Sequence, residues 1–518
     1  RSYSVTGVQT CALPILDGNH LTLKDVVEVA YGRATARLSE AGRSAVEHSQ
    51  ACLQAIARSG KAVYGINTGF GIFAERRIAD EDSARLSRNL ILSHAVGTGP
   101  AMPREVVRAA MLVRANTLAK GYSGVRVELI ETLLAMLERG VTPIVPSQGS
   151  LGSSGDLGPL SHLALVFTTD EDDREQDSGW AEFNGQIMSG KAAMEAAGLR
   201  RLVLGPKEGL ALNNGATFTA AMAALAVCET RYLLDVAEWS LAMSLEAMLG
   251  CRAAFDLRLH QAREQAGQVF VARRVLEITE GSTLLNAAGR VQDAYSLRCA
   301  PQVQGAVRDT VEFVAGVVER EINAATDNPL LFDGEAISGG NFHGEPVGLV
   351  MDYLGIALAE LAAIAERRVF RLTDGKLNTG LPAMLVDCAE AAGLNSGLMM
   401  PQYTAASLVL ENQTLAHPDS VHSLPTSGEQ EDHNANATTA ARHTMQILDN
   451  VRHVLAVELY TAARALDLRL RQMPMAQLGR ETERVYRCVR QAVPYQPGDA
   501  WWGPEIERVK ELLIQHEL

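Results

Sequence analysis

Two stretches, Pro346 to Leu372 and Gly393 to His417, read as long helices that are apolar almost all the way round. A helix of that kind is stable in water only when other helices cover it, so the chain is expected to fold as a bundle. From Glu208 it becomes Ala- and Leu-rich for several more helical segments, and its longest uncharged run, Gly209 to Cys228, reaches the length of a bilayer span. That run carries Asn213, Asn214, Thr217 and Thr219, which hydrocarbon would penalise, so it is expected as a buried core helix. Only 5% of the residues are aromatic, and the abundance of Ala and Leu favours helix as well. The expected class is all-α, mainly helical, around a long central bundle.

Against that background Gly149 to Pro159, GSLGSSGDLGP, stands out: a run so rich in Gly and Ser, closed by Pro, can be neither helix interior nor a regular strand. Within it Ser153 and Ser154 precede Gly155, a residue with no Cβ, whose nitrogen could reach the Ser153 carbonyl carbon without steric penalty. Loss of water from that adduct leaves an imidazolinone. Loss of the Ser154 hydroxyl as a second water leaves an exocyclic methylene, an electrophile that no standard side chain supplies. Taken alone, the triplet also fits an ordinary turn. A serine hydrolase using Ser153 or Ser154 with His162 is disfavoured, because the loop is not a GxSxG elbow.

Other features narrow the function. A net charge of -14 makes nucleic acid and anionic membrane poor partners. Seven scattered cysteines without a Cys-x-x-Cys pair suggest a reducing, cytoplasmic setting with neither zinc knuckle nor disulfide framework. GQIMSGK, Gly185 to Lys191, mimics a phosphate loop, but Ala192 stands where a hydroxyl must hold magnesium and no apolar strand precedes it. Residues 1–16 contain Pro14 and lack a basic region before their short apolar part, so they do not read as a signal peptide. VTGVQTCALPI within them looks like translated adapter sequence, and 1–16 are set apart as an extension. Residues 17–205 are expected as an N-terminal region bearing the loop, and 206–518 as a helical bundle with the C-terminal region. Thr22 is expected to cap the first helix, with Asp25 completing a capping box. Pro103 to Lys120 and Ser123 to Glu138 read as amphipathic helices stopped by Gly121 and Gly140. Tyr64, beside three glycines in AVYGINTGFG, and His94, in RNLILSHAVGTGP, each read by themselves as structural residues.

GSLGSSGDLGPLSH resembles the prosthetic-group segment of the aromatic amino acid ammonia-lyases, which include the histidine, phenylalanine and tyrosine lyases and related aminomutases. In that family the triplet is usually Ala-Ser-Gly and matures to 4-methylideneimidazol-5-one, MIO; here Ser153 replaces the Ala. The resemblance runs from about Leu21 to the end with its motifs in family order, and implies the fold of the histidine and phenylalanine ammonia-lyases. By resemblance, MIO forms from Ser153, Ser154 and Gly155, and Tyr64 in YGINTGFG is the base. Ser93-His94 looks like the pair of the histidine lyases, and Asn214 holds substrate and the prosthetic oxygen, although Asn214-Gly215-Ala216-Thr217 departs from Asn-Gly-Thr-Gln. Gln292 and Tyr295 support the prosthetic group and Arg298 grips the substrate carboxylate, a pairing that Lys could not copy. Asn328 contacts that carboxylate too, and Phe342 walls the pocket. Glu411, in SLVLENQTLAHP, matches a substrate-contacting glutamate; with His94 it suits an imidazole, although a carboxylate in an apolar helix also commonly pairs with a structural Arg. Gln430 and Glu431, in SLPTSGEQEDH, match supporting polar groups, whereas Asn434-Ala435-Asn436 departs from the histidine-lyase wording.

The activity implied is elimination of ammonia from an aromatic L-amino acid, foremost L-histidine to urocanate, with no metal and no diffusible cofactor. A phenylalanine or tyrosine ammonia-lyase or a 2,3-aminomutase is the alternative, and a non-catalytic homologue a remoter one. The resemblance also implies a homotetramer whose sites combine residues from several chains, with no nucleic-acid or membrane partner.

Overall fold

Thr22 opens the first helix, Leu23–Ala30, with its side chain accepting from Asp25 N at 3.1 Å while the Asp25 carboxylate accepts from Thr22 N at 3.1 Å. This is the capping box expected from the sequence, satisfying two backbone donors that a helix start leaves open. The computed structural model describes residues 13–59, 63–73 and 75–518. Cys11 and most of the 1–16 extension lie outside them, whereas Ile15–Leu16 is a strand paired in parallel with Arg37–Leu38.

The chain is mainly helical, as expected: eighteen α-helices are described, and the strands form only two- and three-stranded sheets. It divides into two units. The first comprises the described residues up to Cys228 together with Ala315–Met351 and Pro418–Arg442; the second comprises Glu229–Val314, Asp352–His417 and His443–Leu518.

In the first unit, helix Arg104–Ala119 packs against Leu23–Ala30 and Val127–Arg139. Its boundaries follow expectation, but its amphipathic reading does not: every residue from Val106 to Ala119 is buried, Arg108 and Arg114 included. The polar positions that suggested a wet face are used internally. Arg108 donates to the carbonyls of Val29, Ala30 and Leu137, and Arg114 to that of Ala211, so both charges are solvated by backbone instead of water. Gly140 ends Val127–Arg139 in the left-handed conformation, the usual way a helix turns out of its last carbonyls. Lys191, in the segment that mimics a phosphate loop, donates its amine to the Asp173 carbonyl.

In the second unit a fully buried pair, Arg368 and Glu458, ties helix Glu345–Thr373 to Ala437–Gln472. Glu458 also accepts from Ser240 at 2.8 Å and Ser244 at 2.9 Å on Thr217–Ala247. With both carboxylate oxygens engaged, the cost of burying the charge is offset by a network that fixes three helices in register. Glu345–Thr373 is apolar and long enough to cross a membrane, but 67% of its most apolar window is buried inside the fold, which marks a core helix. The other stretch expected as wholly buried is shorter, Met399–Leu415, and only partly covered: Met400, Tyr403 and Leu410 are 61%, 59% and 63% exposed. Apolar composition alone could not distinguish a helix covered within the chain from one with a bare apolar face.

Candidate active site

Three helices of the first unit, Ser83–His94, Leu157–Phe167 and Glu208–Asn213, pack pairwise on one another and converge on the Gly149–Asp156 loop. His94 is the last residue of the first. Asp156 immediately precedes the second, and Asn214 immediately follows the third. Motifs far apart in the chain therefore meet because each terminates an element at the same place.

The loop is held by backbone pairing. Gly155 bridges Gly215, with Gly215 N donating to Ser154 O at 3.2 Å and Asp156 N to Gly215 O at 2.9 Å. Gly155 has φ +75° and a Cβ there would lie 2.0 Å from the Gly215 carbonyl carbon, so glycine is required at this position on two independent grounds. Asn214 Nδ2 donates to Ser154 O at 2.7 Å, while its buried Oδ1 has no partner. The Asp156 carboxylate, wholly buried, accepts from Ser150, from Thr219 N at 2.9 Å and from Thr438, and so closes the start of helix Thr217–Ala247. Burial pushes Asp156 above the usual carboxylate range, and these hydrogen bonds oppose the shift.

Glu431 stands beside the triplet, and its charge acts on Tyr64 and His94. Ser154 Oγ donates to Glu431 Oε1 at 3.1 Å. Burial raises the Tyr64 phenol above its ordinary value, a backbone bond at Gly71 pulls it down, and the Glu431 charge raises it further. Burial likewise lowers the His94 imidazole, with the Leu90 carbonyl and Glu431 opposing. Nδ1 of His94 is 3.0 Å from Ser93 Oγ. Glu431 is thus common to three of the expected site residues. The sequence marked it as a supporting polar group through the EQEDH match, but not as the residue against Ser154.

Asn328 follows a different pattern. Its Nδ2 donates to Ser338 Oγ at 3.1 Å and its Oδ1 accepts from Gly339 N at 2.8 Å, so the amide is engaged by its own hairpin segment. It nonetheless neighbours the Tyr64 loop, since a Cβ on Gly65 would lie 3.8 Å from its carbonyl oxygen. Phe342 is half-buried, two residues before Gly344, whose N–H donates to Gly152 O at 2.8 Å. Ser153 Oγ donates to Asn434 Oδ1 at 2.6 Å, a contact between residues 281 apart that nothing local in the sequence announces.

Gln292, Tyr295, Arg298 and Glu411 belong to the second unit. The Arg298 guanidinium lies over the Tyr295 ring at 4.7 Å with its buried Nε unpartnered, and Tyr295 is 69% exposed. Gln292 lines a cavity of about 340 Å³ with Arg290, Arg371 and Lys376. Glu411 is exposed and pairs not with an arginine but with amides, accepting from Gln446 at 3.0 Å and Asn450 at 3.4 Å. Among the described residues no group of three or more His, Cys, Asp or Glu side chains is placed to hold a metal ion.

A helical protein with this loop and these surroundings matches the aromatic amino acid lyase family over residues 21–491, and the chain belongs to that family. Within it, the chain is 48% identical over 483 residues to the histidine ammonia-lyase of Caldanaerobacter subterraneus subsp. tengcongensis, 92% of each chain being covered. Among solved structures it superposes on histidine ammonia-lyase from Trypanosoma cruzi with a TM-score of 0.88 at 36% identity, covering 98% of this chain and 94% of that one. Tyrosine aminomutase from Streptomyces globisporus gives a TM-score of 0.91 at 34% identity, covering 98% and 97%.

Proposed function

We propose that the protein is a histidine ammonia-lyase, eliminating ammonia from L-histidine to give urocanate, and that Ser153, Ser154 and Gly155 mature to MIO. The observation that carries this is the pair of donors, Asn214 Nδ2 and Gly215 N, converging on the Ser154 carbonyl oxygen beside a position that only glycine can occupy. That oxygen would be the exocyclic oxygen of the ring, and two fixed donors stabilise charge arriving there without reorganisation. The residues present therefore fit the group. When formed, it supplies an electrophile that makes the substrate's amino group a better leaving group.

The remaining work falls to the chain's own side chains. The β-proton of the substrate is weakly acidic, and we assign its removal to Tyr64 acting as phenolate. Burial and Glu431 both disfavour that phenolate, so its formation depends on donors such as the backbone at Gly71. Arg298 binds the substrate carboxylate through its fork of donors, aided by Asn328, while Tyr295 and Gln292 support the prosthetic group. His94, neutral near pH 7 because burial lowers its pKa, and Glu411 orient the imidazole, with Phe342 as an apolar wall. We further infer a homotetramer whose sites draw on several copies. The exposure of Tyr295 and of the apolar residues Met400, Tyr403 and Leu410 supports that reading.

Incubation with histidine, phenylalanine and tyrosine, reading product absorbance and free ammonia, tests the assignment. Histidine is expected to yield urocanate with stoichiometric ammonia. Turnover of phenylalanine with histidine inert would move the assignment to another member of the family, and a β-amino acid product would indicate an aminomutase.

A further inference from the structure

The two serines of the triplet are chemically similar, yet only one can lose its hydroxyl if a single product is to form. Ring closure joins Gly155 N to the Ser153 carbonyl carbon. The first water takes its oxygen from that carbonyl and its hydrogens from the Gly155 and Ser154 amides; the second takes the Ser154 hydroxyl and the Ser154 Cα hydrogen. No oxidant or reductant is needed. A competing loss at Ser153, of its hydroxyl and its own Cα hydrogen, has the same balance and would leave a dehydroalanine beside the ring.

The surroundings distinguish the two. Ser154 Oγ donates to Glu431 Oε1 at 3.1 Å, a carboxylate that can take up the proton released from the Ser154 Cα and return it to the departing oxygen. Ser153 Oγ faces Asn434 Oδ1 at 2.6 Å, an amide oxygen with no proton to give. The Asn434 amide cannot swing round: its Nδ2 is committed to the Leu424 carbonyl, and its backbone N donates to Ser423 Oγ at 2.8 Å. Both partners are buried, Ser153 at 5% and Asn434 at 1% exposure, so water does not substitute for either.

Resting on the reading that the triplet matures to MIO, we propose that Asn434 is a positioning residue for maturation. It holds the Ser153 hydroxyl as a donor and keeps Ser153 whole, so that dehydration is directed to Ser154.

The test is intact mass of the full-length protein followed over time after synthesis, with peptide mapping of the 149–159 segment, for wild type, N434A, N434D, S153A and S153A/N434A. Wild type is expected to lose two waters at one location. N434A should mature about tenfold more slowly, the scale of one lost buried hydrogen bond, and should carry a fraction dehydrated at Ser153. N434D, which keeps the acceptor but can supply a proton, should increase that fraction, an effect that a merely structural role would not produce. S153A should mature fully and be indifferent to N434A. The proposal is overturned if N434A and N434D match wild type in rate and product, or if N434A slows maturation equally in the S153A background. Wild type at its full sequence mass would overturn the MIO reading and this proposal with it, whereas normal wild-type maturation with silent variants overturns this proposal alone.

Discussion

The hydroxyl of Ser154 donates to the carboxylate of Glu431 across 3.1 Å, joining a Gly-rich loop to a segment 277 residues further along the chain. Glu431 also biases the ionisation of both Tyr64 and His94, so one carboxylate links the reactive triplet, the expected base and the expected imidazole contact. Replacing it with Gln keeps the shape and removes the charge. E431Q is expected to slow loss of the Ser154 hydroxyl by about 10²- to 10⁴-fold, the range for a positioned proton-transfer group, read as intact mass over time after synthesis. Maturation at the wild-type rate would reduce Glu431 to packing.

Tyr64 yields a pH prediction with a definite sign. Burial first, then Glu431, raise the phenol above its ordinary 10, so the phenolate needed for proton abstraction grows as pH rises. Activity should climb from neutral into alkaline solution, and Y64F should lose about 10²- to 10⁴-fold in kcat while abolishing that rise. A pH–rate profile of both proteins reads the outcome; an alkaline limb retained in Y64F would assign the ionisation elsewhere.

Asn214 supplies one of two donors to Ser154 O, the other being Gly215 N. N214A should cost about 10²- to 10³-fold in kcat, the effect of deleting one donor of such a pair. The loss should fall on kcat more than on KM if the donor serves developing charge, a split that steady-state kinetics resolves.

Much of this arrangement was legible in the sequence, and what was hidden had physical reasons. Thr22 and Asp25 announce their cap because a capping box is local, and the Gly- and Ser-rich run from Gly149 stands out as a loop, although its last three residues, Leu157, Gly158 and Pro159, open the helix Leu157–Phe167. Ser153 and Asn434 meet across 281 residues, a distance over which periodicity carries no information. Arg108 and Arg114 suggested a solvated face on Arg104–Ala119; instead, backbone carbonyls from neighbouring elements replace the water. Met400, Tyr403 and Leu410 gave Met399–Leu415 the appearance of a core helix, because composition reports that a face is apolar and not what covers it.

Burial and then the Asp156 carboxylate push Glu321 from its ordinary 4.5 up to about 7, with Arg114 opposing. A carboxyl with a raised folded pKa keeps a proton that the unfolded chain has released, so stability falls as pH rises from 4.5 to about 7 and then levels off. E321Q has no such ionisation. Relative to it, wild type should lose at most ~3 kcal/mol over that window, seen as converging or crossing urea midpoints. Parallel midpoints across the window would show that Glu321 is ionised throughout.

The most direct measurement is the intact mass of the purified wild-type protein under denaturing conditions. The account predicts a mass two waters below that of the encoded polypeptide, both lost within residues 153–155. A mass equal to the encoded polypeptide would contradict it, leaving Asn214 and Gly215 donating to an ordinary peptide carbonyl and the elimination without its electrophile.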